Sequence, residues 1–85
     1  MRNAHLLGAI LRTYFKVGHT FVRLFNGDHN SPHAHIWTPD GELLVSLVTL
    51  EAVKGDIGRQ EFDVAMKWIR NYIDFLRAEW DRLNG

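Results

Sequence analysis

Asp28, His29, His33 and His35 fall within eight residues, in the run DHNSPHAH. A carboxylate and three imidazoles at that density can do two kinds of chemistry. Neutral imidazoles bind zinc, nickel or cobalt, with a carboxylate completing the set, and a metal held by three protein ligands keeps one position open for an activated water. Without metal, Asp28 paired with His33 or with His35 can move protons as an acid–base dyad. A third reading needs no chemistry: Asp28 accepts backbone N–H groups in a turn, while His33 and His35 bond loop carbonyls or stack on Trp37. Elsewhere the chain has no glycine-rich phosphate loop and no cysteine, and its two serines, Ser31 and Ser46, lie in no nucleophile motif. His5 and His19 are assigned to the surface.

The elements that must position these groups are legible around them. Gly27, Asp28, Asn30 and Ser31 are turn formers, and Pro32 fixes φ just before HAHIWT. Alternation along a strand puts His33, His35 and Trp37 on one face, with Ala34, Ile36 and Thr38 on the other. Asp40-Gly41 is a hairpin dipeptide of the type I′ kind, in which both central residues have positive φ. Val17-Gly18-His19-Thr20 is a second turn. Three to four strands result, at about 12–17, 20–26, 33–38 and 42–48.

After a connector containing Gly55 and Gly58, the periodicity predicts one long helix over roughly residues 60–83. Phe62, Met66, Ile69, Ile73, Leu76, Trp80 and Leu83 recur at spacings of four and three and form one apolar stripe. Ala65, Trp68, Tyr72 and Phe75 form a second beside it. The arc is wider than packing on one small sheet requires, which predicts a homodimer through Trp68, Tyr72 and Phe75. In a closed monomer the N-terminal segment would cover that stripe instead. Segment 4–14 suits a helix turn and an edge strand equally.

Composition narrows the class further. A chain of 85 residues with 46% hydrophobic side chains folds as one domain, here 1–85. Without cysteine it needs no oxidising compartment, and LLGAIL is too short for a signal peptide or a membrane span. The expected location is the cytoplasm. Residues 1–27 carry Arg2, Arg12, Lys16 and Arg23 and no acid, whereas residues 28–85 carry ten acids and six bases. Four cations spread along a chain argue against nucleic acid as partner.

The run Asn26-Gly27-Asp28-His29, followed by Asn30-Ser31-Pro32 and His33-Ala34-His35, resembles the bacterial domain-of-unknown-function family 4160. So does the Trp-containing C-terminal helix, with Met66-Lys67-Trp68 and Ala78-Glu79-Trp80. The resemblance runs from about residue 12 to residue 83, with Ser31 in place of a first proline and an extra Gly27 before the acid. It implies an uncharacterised small protein, encoded beside another short domain in a toxin–antitoxin-like pair. Together these readings predict an α+β domain: a small antiparallel sheet of three to four strands with one long C-terminal helix across it. The expected function is an interaction or regulatory module with a small protein partner. The alternative is a metal-dependent hydrolase or nuclease built on Asp28, His29, His33 and His35, with Asp28, His33 and His35 as candidate catalytic groups and zinc or nickel as the metal.

Overall fold

The computed structural model describes residues 12–26 and 31–85. Asp28, His29 and residues 4–11 of the undecided N-terminal segment lie outside them. The described elements are β1 (Arg12–Val17), β2 (Thr20–Phe25), β3 (His33–Thr38), β4 (Gly41–Ser46), β5 (Ala52–Gly55), α1 (Arg59–Asn71) and α2 (Ile73–Asn84). The strands pair antiparallel in chain order, β1 through β5, as a meander. The α+β class therefore holds, and residues 12–14 are strand.

Two features of the expected architecture need correction. The sheet has five strands rather than three to four, because β5 comes from the connector. Its four residues are all exposed, so it carries no burial alternation to read. Gly55 makes the pairing sterically feasible: its φ is +97°, and a Cβ there would stand 2.2 Å from the Glu42 carbonyl oxygen. The turn before β5 is organised by Ser46, whose Oγ accepts from the backbone N–H groups of Val48 and Thr49 at 3.0 and 3.1 Å. Leu47 leaves the strand there, donates its N–H to the Pro32 carbonyl, and buries its side chain.

The second correction concerns the C-terminal helix, which is two helices rather than one. Tyr72 has φ −115° and ψ 22°, and its N–H is shared between the Trp68 and Ile69 carbonyls at 3.1 and 3.2 Å. The ladder resumes at once with Leu76 N–H donating to the Tyr72 carbonyl at 2.8 Å. Asn71, Tyr72 and Ile73 are three successive residues of middling helix propensity, and no glycine or proline is needed for the break. It lets α1 pack on β1 and β2 while α2 packs on β2.

The core lies between the helices and one face of the sheet. Val22 and Leu24 of β2, Ala34 and Ile36 of β3, and Leu43 and Val45 of β4 meet Ala65, Met66, Ile69, Leu76 and Trp80. Phe62, Ile73 and Leu83 of the first stripe are only partly buried around it. β1 is tied to α2 by the Thr13 hydroxyl, which donates to the Glu79 carboxylate. Arg82 donates to the same carboxylate at 2.6 and 2.9 Å. Arg82, and after it Thr13, hold the Glu79 carboxyl at about 2, well below its ordinary 4.5.

Among the described residues no helix packs on the other face of the sheet, and the strand register sets out its side chains in cross-strand rows. One row runs Tyr14, Arg23, His35, Leu44 and Lys54; the next runs Lys16, Phe21, Trp37 and Glu42. Among the described residues no helix is long and apolar enough to cross a membrane.

Candidate functional site

His33 and His35 stand at the start of β3, where the chain enters the sheet from the loop after β2. Their rings lie 5.1 Å apart, centroid to centroid, at 63°. Ala34 between them is buried against the helices, as alternation requires. The two histidines nevertheless have different surroundings. His33 is only 7% exposed; its ring packs 5.0 Å from that of Trp80, and its Nδ1 is 2.8 Å from the Ser31 carbonyl. A carbonyl oxygen can only accept, so Nδ1 carries the proton and Nε2 is the basic nitrogen of the neutral ring.

His35 keeps about a quarter of its side chain exposed. Its ring stands nearly perpendicular to that of Phe25, with centroids 4.9 Å apart, and its Nδ1 lies 3.2 Å from the Glu42 carboxylate. Glu42 is the candidate-site residue that reading the chain by proximity misses, since it lies seven positions away. It reaches His35 because the β3–β4 register sets Trp37 opposite Glu42, placing Glu42 diagonally across from His35 on the same face.

That register depends on a turn different from the type I′ expectation. Thr38 pairs with Gly41, so the two loop residues are Pro39 and Asp40, and neither Asp40 nor Gly41 has positive φ. The Thr38 hydroxyl accepts from the Asp40 N–H at 3.1 Å and donates to the Gly41 carbonyl at 3.2 Å, closing the turn without left-handed backbone.

A groove of about 680 Å3 opens beside the two histidines, with Pro32, Leu44, Ser46 and Thr49 in its walls. The two rings have the orientation that metal ligands use, each Nδ1–H being directed at a carbonyl or carboxylate. Among the described residues, however, no three of His, Asp and Glu form a group that could hold a metal ion. A third and a fourth ligand would have to come from Asp28 and His29, outside the described residues. The structure therefore brings together His33, His35 and Glu42, with Phe25 and Trp80 as walls. It sets His19 apart in the β1–β2 turn, exposed to solvent.

A second surface lies on the helices. Tyr72 and Phe75 are 50% and 52% exposed. They adjoin Trp68, whose ring is 4.9 Å from Tyr72 and 5.2 Å from Phe15 of β1, while Phe15 also meets Phe75 at 5.8 Å. Phe15 thus covers one side of the second stripe.

A family model described as a domain of unknown function (DUF4160) matches residues 20–81. No curated protein and no solved structure matches the chain.

Proposed function

The chain belongs to the DUF4160 family, whose description assigns no activity, and from that premise we propose that it works as an interaction or regulatory module that associates through its helices. The observation that supports this reading is the continuous aromatic patch of Trp68, Tyr72 and Phe75, two of whose three rings are half exposed. Aromatic surface left in water is the usual material of association sites, because burying it releases more free energy per residue than any polar contact. A second copy of the chain, or a small protein partner as in a toxin–antitoxin-like pair, would cover it.

The test is light scattering on the unmodified protein and on a Trp68→Glu, Phe75→Glu double variant. A dimer at high micromolar concentration that the double variant converts to soluble monomer supports the reading. A monomer for the unmodified protein removes self-association from it.

The hydrolase or nuclease reading rests on a different observation, the pair of imidazoles oriented through Nδ1 by the Ser31 carbonyl and the Glu42 carboxylate. In that reading His33 and His35 bind zinc or nickel through Nε2, and Asp28 and His29 complete the set.

A further inference from the structure

We infer that the face of the sheet opposite α1 and α2 is a site for single-stranded nucleic acid, with bases stacked on its aromatic rings and phosphates held by its cations. The rings form a connected series across three strands. Tyr14 meets Phe21 at 6.2 Å, and Phe21 meets Trp37 at 5.9 Å. Phe25 and His35 continue the aromatic surface toward the start of β3. Tyr14 is 56% exposed and Trp37 36%, so both rings reach the surface of this face. Every base has a π-face, and stacking on such rings is the main attraction in single-strand binding that is tolerant of sequence.

The cations stand among the rings. The Arg23 guanidinium lies over the Trp37 ring, its carbon 5.5 Å from the ring centre, so a planar cation is held on the aromatic surface. Lys16 is in the row of Phe21 and Trp37, and Lys54 ends the row of Tyr14 and Arg23. Among the described residues in these two rows the one acid is Glu42, which is engaged with His35. Cations dispersed along the chain are thus gathered on one surface by strand alternation, which removes the argument from sequence against nucleic acid.

The same features disfavour other occupants. A two-fold dimer through this face would bring Lys16, Arg23 and Lys54 of both copies into one interface with only Glu42 of each copy to oppose them. A duplex hides its base faces within the stack and would leave the rings without a partner. An extended single strand offers both a stacking surface and negative charge.

The experiment is fluorescence anisotropy with fluorescein-labelled ten-nucleotide oligo(dT) and oligo(U), with a DNA hairpin duplex as control, at low and moderate salt. Micromolar binding to one or both single strands is expected, with at least ten-fold weaker binding to the duplex. Up to three phosphate contacts, from Lys16, Arg23 and Lys54, give a slope of log K against log salt of about −2. Trp37→Ala and Tyr14→Ala should each weaken binding several-fold to ten-fold. Arg23→Gln should make the slope shallower by about 0.7. Gln60→Ala, exposed near the start of α1, should leave binding unchanged. Thermal melts followed by circular dichroism confirm that each variant is folded, and the more exposed Tyr14 serves if the Trp37 variant is not. Absence of binding at 100 µM protein in low salt would overturn the inference. So would equal affinity for the duplex, or unchanged binding by both ring variants. A homodimer that binds no oligonucleotide leaves the helical association standing and removes only this inference, and a monomer that binds the oligonucleotide does the reverse.

Discussion

Leu76 is the residue on which the contact between α2 and the sheet can be measured. Its side chain is fully buried, in one cluster with Val22, Leu24, Met66, Ile69 and Trp80. Leu76→Ala deletes three buried carbons, about 2.4 kcal/mol at about 0.8 kcal/mol for each. The cavity left between two elements fixed by their own hydrogen bonds raises the loss to about 3–5 kcal/mol. A domain of this size has roughly 4–13 kcal/mol of total stability, so the variant should lose about a quarter of it or more. Urea unfolding monitored by tryptophan emission suits the measurement, since Trp80 is 5% exposed and belongs to the same cluster. The midpoint should fall by roughly 2 M. Phe75→Ala, one residue earlier but half exposed, should cost under about 1 kcal/mol, a value typical of surface sites. Ile73→Ala should fall between them, because Ile73 is only partly buried although the apolar stripe marks it as central. A loss within about 0.5 kcal/mol for Leu76→Ala, or a larger loss for Phe75→Ala, would mean that α2 presents a different face to the sheet.

Two further outcomes follow from particular side chains. The Glu79 carboxyl is lowered in the folded protein, so its contribution to stability is fully present above about pH 4.5 and is lost as the pH falls toward about 2. Glu79→Gln should therefore flatten the dependence of urea midpoint on pH between 5 and 3, and an unchanged slope would show that Thr13 and Arg82 do not stabilise the charged form. If His33 and His35 are metal ligands, calorimetric titration of tag-free protein with zinc at pH 7.5 should show binding tighter than about 100 µM, or about −5.5 kcal/mol, abolished in His35→Ala and retained in His19→Ala. Weaker binding than that would leave the imidazoles as parts of a turn and a contact surface.

Local patterns in the chain are enough to place most of the elements. The alternation of HAHIWT puts Ala34 and Ile36 in the core whatever partner strand is chosen, because side-chain parity is a property of one strand. The turn at Val17-Gly18-His19-Thr20 is equally local, Gly18 supplying the positive φ (65°) that the turn uses. The apolar stripe of the C-terminal segment likewise fixes which side of the helices meets the sheet.

What the chain does not carry locally is decided by contacts between elements. Taking Asp40-Gly41 as the centre of the hairpin keeps every side chain on its correct face but displaces the β3–β4 register by two residues, and that displacement hides the pairing of His35 with Glu42. Pro39-Asp40 closes the loop because the Thr38 hydroxyl bonds both ends of it. β5 exists because Gly55 allows close backbone approach to Glu42, a requirement visible only once β4 is beside it. The break at Tyr72 reflects two packing surfaces, on β1 with β2 and on β2, acting on one periodic stripe. Charge behaves in the same way. Lys16, Arg23 and Lys54 are far apart along the chain, yet antiparallel pairing of five strands sets them on one face among Tyr14, Phe21 and Trp37. Sequence determines the parity of each residue within its own strand; only the tertiary register determines which residues then become neighbours, because cross-strand hydrogen bonds and packing, rather than local propensity, set the distance between them.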